Sequence, residues 1–189
     1  MSQMIRIITQ DSSTGISNMH LMNQLLFKIS AHLRCRVIRG PNQEPYLERY
    51  HLLRLPFGIH VYLHRFVASD PGRALHNHPW RAALSLVLSG QYTETRLGSG
   101  IKNNALIKSR IRAGHLNYIS GKIYHRINLT PGEQAWSLFI HTASHNSWGF
   151  LETADRQFSY TCLLYTSPSP RDERRYLVCR LLLEKGGGG

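Results

Sequence analysis

The pattern of apolar and polar positions divides the chain into one helical stretch and a long series of strand-like ones. Between Ser17 and Leu33 the apolar residues Met22, Leu25, Leu26, Ile29 and Leu33 recur at three- and four-residue spacing. That is the repeat of one helix face, and Ser17 or Asn18 can supply the N-cap. The spacing predicts one amphipathic helix over 17–33, packed on the outside of a sheet. Residues 1–16 are polar and read as a flexible N-terminus. Beyond the helix, segments of mostly four to nine residues are rich in β-branched and aromatic types and end at Gly, Pro, Asn or Asp. They run Tyr46–Leu55, Ile59–Val67, Leu84–Leu88, Gln91–Leu97, Ala105–Ile111, Leu116–Ile119, His125–Leu129 and Gln134–His141. Leu84, Leu86 and Leu88 alternate with Ser85 and Ser89, as in a strand with one buried face. About eight short strands after a single helix predict an all-β fold, a closed antiparallel barrel or jelly roll. The domain is expected over 17–161, with the barrel at about 36–150.

The last 28 residues change how the bulk numbers are read. Cys162 to Asp172 reverse-translates into a sequence resembling a transposase adapter from sequencing-library preparation. Tyr176 to Lys185 resembles a flow-cell adapter, and four glycines follow. Residues 162–189 are therefore set aside as a non-native tail. Removing its five basic and three acidic residues from totals of 23 and 11 leaves 18 and 8, a formal charge of +10. The remaining basic residues are mostly Arg and scattered singly. They favour anionic ligands through the overall field. No motif or stacking-aromatic pattern points to nucleic acid. Cys35 is the one cysteine left, so a disulfide scaffold is excluded; it reads as a small buried residue. With no signal-type or membrane-length apolar run, the expectation is a soluble, cytoplasmic protein.

The chemistry-bearing residues are histidines. In His76-Asn77-His78-Pro79-Trp80, the two imidazoles are two residues apart, so on extended backbone they face one point, half of a metal site. A third candidate, His125, follows the Gly121 turn, with Asn128 close behind. Three imidazoles suit iron(II), Zn, Ni, Mn or Cu. Strand alternation puts Ile59, Val61, Leu63 and Arg65 on one face and His60, Tyr62 and His64 on the other. If the apolar face points inward, Arg65 can clamp an anionic group bidentately. Arg49 and Arg81 are further candidates for that role. Tyr92 and Glu94 could line the barrel mouth. His141 could stand behind the ligands as a partner or serve as a fourth ligand.

These residues resemble the motifs of the cupin superfamily. The first motif is matched by His76, His78 and Gly90, the second by Gly114, Gly121, His125 and Asn128. The likeness spans about residues 45–150, and LHNHPW, LSLVLSGQYTE and YHRINL are similar to small bacterial and phage cupins. It implies a metal site and a homodimer. Two departures stand out. The family's glutamate would fall at Ala82 or Ala83, leaving a three-histidine site like that of thiol dioxygenase-like cupins, although their Ser-x-His-x-Tyr element is absent. Gly121 also lies one residue farther from His125 than usual. The resemblance implies an Fe(II)-dependent dioxygenase-like enzyme acting on a small anionic molecule. The alternatives are a non-catalytic ligand-binding or sensor cupin, and a metal-independent sugar epimerase- or isomerase-like cupin.

Overall fold

The computed structural model describes residues 19–40, 42–72, 74–98, 105–145, 148–154, 157–163 and 178–179. The expected flexible N-terminus, the candidate caps Ser17 and Asn18, and most of the set-aside tail lie outside the described residues.

One helix, α1, runs through residues 19–30. The strands are β1 (Cys35–Arg39), β2 (Pro45–Leu55), β3 (Ile59–Phe66), β4 (Leu75–His76), β5 (Ala82–Leu97), β6 (Leu106–Arg112), β7 (Leu116–Ser120), β8 (His125–Asn128), β9 (Ala135–His141), β10 (Trp148–Ala154), β11 (Gln157–Leu163) and β12 (Val178–Cys179). They pair antiparallel in the order β1-β2-β3-β9-β5-β8-β4-β10-β11-β12, with β6 and β7 also on β5. The sheet curls on itself, as the alternating pattern predicts. It extends past the expected limit near residue 150, because β10 pairs with β4 and forms a hairpin with β11. The short β12 lies inside the segment that the sequence reading sets aside.

The two segments expected on either side of Ser89-Gly90 are one continuous strand, β5. Its first half pairs with β7 and β9, and its second half with β6 and β8. The register slips between Val87 and Ser89, and Gly90 follows with φ 75°. A Cβ on Gly90 would collide with the Gln134 carbonyl oxygen. Bulge and glycine together bend the strand without breaking its ladder.

The faces of this sheet run opposite to the expectation. Ser85, Val87 and Ser89 are buried, whereas Leu84 is exposed and Leu86 and Leu88 are half-buried. The leucines lie on the outer face, where Leu88 packs with Leu63, Trp136 and the helix residue Leu26. Across β2, β3 and β9, directly paired residues share a face, which puts Arg49, His51, His60, Tyr62, His64, Phe139 and His141 together on the inner one. The inner core is built from Leu47, Phe66, Val87, Tyr92, Ile127 and Ala135 at one end, and from Trp80, Ala83, Ile119 and Phe139 at the other.

Helix α1 sits on the outer face as predicted, through a different stripe. Leu26 and Ser30 are buried and Asn23 and Leu33 half-buried, while Met22, Leu25 and Ile29 stay exposed. Cys35 is exposed on β1 rather than buried, since it precedes the part of that strand that turns into the core. Truncating Leu26 to Ala is expected to cost about 2–4 kcal/mol. Gly90→Ala combines a collision with an unfavourable φ, at about 2 kcal/mol or more. Denaturant melts of both variants check this, and a neutral Gly90→Ala would contradict the role given to the bend.

Candidate metal centre

Three histidines from separate parts of the chain converge where β4, β8 and the loop after β4 meet. His76 on β4 pairs directly with His125 on β8. His78 lies beyond the end of the strand, so strand alternation alone does not position it. Asn77, buried between the two, does so: its N–H donates to the Gly149 carbonyl at 3.2 Å, and its Oδ1 accepts from the Gly149 N–H at 2.7 Å. That two-way contact with β10 pins the peptide so that both flanking rings face His125. The three rings lie 4.8–4.9 Å apart by centroids. One ligand nitrogen from each falls within 4.8 Å of the others. Among the described residues this is the one cluster of metal-ligating side chains that converges in this way, and it contains no carboxylate.

Donor chemistry fits a cation. His125 is almost fully buried, and its Nδ1–H donates to Glu94 Oε1 at 2.6 Å. This contact fixes the tautomer and turns the Nε2 lone pair inward. That Nε2 lies 2.7 Å from Nε2 of His78. Two ring nitrogens so close need a shared proton or a cation to relieve their lone-pair repulsion. Burial, reinforced by the neighbouring His125, pushes His76 well below the ordinary imidazole value. Burial does the same for His78, with added repulsion from His125, His76, Arg49 and His141. Neutral imidazoles are the form that binds metal.

Glu94 is the residue whose role the sequence reading missed. It is buried rather than at the mouth, and both of its oxygens are engaged. Oε2 accepts from Asn117 Nδ2 at 3.0 Å and pairs with Arg96 Nε at 3.0 Å. Arg96 also donates to Asn117 Oδ1 at 2.6 Å. Burial pulls the Glu94 carboxyl upward, but the hydrogen bond and charge of His125, then Arg96, outweigh it and leave Glu94 below its usual range. The alternation Tyr92-Thr93-Glu94 showed only that Glu94 shares a face with Tyr92, not that β8 brings His125 against it. Asp70, in the segment before β4, ties the β4 approach to β8 by accepting the Ile127 N–H at 2.7 Å. Burial raises its carboxyl to about 6. At 3.8 Å from His76 Nδ1 it is too distant for a hydrogen bond.

The other candidate residues are placed as follows. The condition on Arg65 fails, because the apolar face of β3 points out toward the helix. Arg65 pairs there with Glu48 at 3.1 Å, donates to Gln134 at 2.8 Å and lies 4.5 Å over the Phe27 ring. Arg81 is exposed. Tyr92 is buried in the core rather than at the mouth, and burial pushes its hydroxyl up to about 12. Arg49 is on the inner face. Its Nε donates to His64 at 3.1 Å, and its guanidinium lies 5.2 Å from the Tyr62 ring centroid. His141 stands outside the converging trio. It stacks on Trp80 at 4.5 Å, which stacks in turn on His78 at 4.3 Å, and its Nδ1–H donates to the Thr142 carbonyl.

With fold and site in place, comparison with solved structures gives a consistent picture. The polyketide cyclase RemF from Streptomyces resistomycificus aligns with a TM-score of 0.51 and 14% identity, over 67% of this chain and 85% of that one. The fold is that of the cupins. Other cupin-fold neighbours include FeII HppE in complex with substrate, at a TM-score of 0.46 and 13% identity over 59% of this chain and 57% of that one. Oxalate oxidase aligns at 0.42 and 19% identity over 56% of each chain. No protein-family model and no curated protein matches the sequence. Among the described residues, no helix is long and apolar enough to cross a membrane.

The geometry of this site makes two predictions. His76→Ala/His78→Ala should abolish metal retention, and Glu94→Gln should weaken metal affinity about 10–100-fold while the fold persists. Metal titration of the three proteins, with circular dichroism as the control, checks both. The second concerns pH. His64, His76 and His78 have native values well below the unfolded one, so on acidification the unfolded chain takes up protons first. Stability is then lost as pH falls below about 6.5. Asp70 acts in the opposite sense, taking a proton near pH 6 in the native state, but one such group offsets only part of three. A melting temperature that rises on acidification from neutral pH would contradict this assignment.

Proposed function

We propose that the chain is a metal-dependent enzyme of the Fe(II) dioxygenase-like kind acting on a small anionic substrate. The observation that carries this reading is an uncharged donor set, three neutral imidazoles with no carboxylate among the converging groups. Such a set leaves the full charge of a divalent ion uncompensated and leaves coordination positions for exogenous ligands. A metal held by His76, His78 and His125 would supply Lewis acidity or redox chemistry to a substrate bound beside it. Iron(II) is favoured by the likeness to three-histidine cupins, and Zn, Ni, Mn and Cu are compatible with the same donors.

The protein's own contributions are positioning and charge. Glu94, held by Asn117 and Arg96, keeps His125 in one tautomer and one orientation. Arg49 is a cation on the inner face, and its field reaches both His78 and His141. We assign it the anionic group of the substrate, in place of Arg65. His64, buried beside Arg49 and kept neutral, accepts from its Nε and holds the guanidinium toward the interior. Trp80 and Phe139, both buried, close the end of the barrel next to His78 and restrict water there.

Metal analysis followed by oxygen-uptake assays with a panel of small carboxylates, phosphonates and thiol acids tests this reading. Metal-dependent uptake with one substrate class is the expected result. Arg49→Gln should then raise KM about tenfold or more, the worth of a charged hydrogen bond. Arg65→Gln should lower stability without changing KM. A metal-loaded, folded protein that turns over none of the panel yet binds one of its members would identify a ligand-binding cupin instead. A metal-free protein that epimerises a sugar would identify the isomerase-like alternative.

A further inference from the structure

Ring planes along the inner wall are aligned in an order that packing alone does not require. From His78 to Trp80 the centroids are 4.3 Å apart with planes 14° from parallel, and from Trp80 to His141 4.5 Å and 20°. His141 continues onto Tyr62 at 5.6 Å and 19°, and onto His60 at 5.3 Å and 15°. Trp80 meets its other neighbour, Phe139, nearly edge-on at 69°. The column arises from strand register. His60 is directly opposite His141, Tyr62 is directly opposite Phe139, and all four share the inner face. Trp80 is brought to its end by a bridge to Ser144. The column begins at a candidate metal ligand and ends at half-buried residues.

Its composition is as specific as its geometry. Trp and Tyr are the side chains of this wall that give up one electron most readily, and Trp80 and Tyr62 both stack on His141. A tyrosine is oxidised easily only when its proton has somewhere to go. The Tyr62 hydroxyl lies 3.2 Å from His60 Nδ1, within reach for proton transfer. Burial, then the charges of Arg54 and His51, holds His60 below its ordinary value, so the ring is neutral and able to accept.

We infer that Trp80, His141, Tyr62 and His60 form a redox relay that carries an oxidising equivalent away from the three-histidine centre to the half-buried Tyr62 and His60. The inference rests on the proposed metal-centred oxidative chemistry. Without substrate, hydrogen peroxide would take two electrons and two solvent protons to give two waters, one electron coming from ferrous iron held by His76, His78 and His125, which becomes ferric, and the other from Trp80. Trp80 gives up that electron, and Tyr62 refills Trp80 across the stack. The Tyr62 O–H bond breaks, its proton passes to His60 Nδ1, and the products are a neutral tyrosyl radical and an imidazolium. A small one-electron reductant such as a thiolate then returns the electron to the half-buried Tyr62, His60 returns the proton, and the thiolate leaves as a thiyl radical. The relay thus protects the ligands from oxidation during uncoupled turnover.

The experiment adds hydrogen peroxide to the iron(II)-loaded full chain without substrate, freezes samples over time, and records EPR spectra alongside the iron content of the same samples. The expected result is a tyrosyl signal that Tyr62→Phe removes and Trp80→Phe largely removes, both variants retaining iron. His60→Gln should slow radical formation and abolish its solvent-deuterium dependence. Ferrous iron that is bound and oxidised with no tyrosyl signal, or with a signal unchanged in Tyr62→Phe, would overturn the relay and leave the metal centre standing. A folded wild-type protein that binds no iron would overturn both readings, and the iron analysis tells these failures apart.

Discussion

Strand β5 runs 16 residues through both halves of the sheet because Gly90 lets the backbone bend where a side chain cannot fit. Before the bend the strand pairs with β7 and β9 and contributes Ala83, Ser85 and Val87 to the inner wall. After it the strand pairs with β8 and delivers Glu94 to His125. A straight strand of that length could not serve both layers of a small barrel. The bend therefore sets the distance between the wall that bears Arg49 and the strands that bear the histidines.

Around that bend the interior is unusually polar for a core of this size. Ser85, Ser89, Glu94, Thr95, Asn117, His125 and Ser137 are all buried. Buried polar groups are costly unless they are paired, and a network with the half-buried Arg96 pairs three of them, Glu94, Asn117 and His125. The consequence is a fixed imidazole rather than a more stable barrel. A further apolar cluster lies on the outside, where α1 covers Leu63, Trp136 and Leu88. Arg65 belongs to this outer layer, clamped between Glu48, Gln134 and Phe27.

Much of this was legible beforehand. The 3.6-residue repeat announced the helix, and turn residues marked most strand ends within one or two positions. His76, His78 and His125 stood out by spacing and by likeness to the cupin motifs, and the fold brings them together. Face assignment went astray because hydrophobicity was taken to mean inward. In a barrel whose interior holds a polar site, the leucine face of β5 and the apolar face of β3 turn outward to a helix. That single inversion moves Arg65 out of the interior and leaves Arg49 and the Tyr62 face within it. The roles of Glu94 and Asn77 were not legible for another reason, since each acts through a strand distant in sequence.

The sequence by itself determined the local geometry. It set alternation along each strand, the turn residues at most strand ends and the two-residue spacing of His76 and His78, because these depend on dihedrals and neighbours a few residues away. Tertiary structure alone decided which face of each strand is the inside, which carboxylate orients His125 and which arginine looks into the barrel. Those choices depend on pairing between strands tens of residues apart. That pairing follows from burying the whole sheet and helix together, and no local run of residues encodes it.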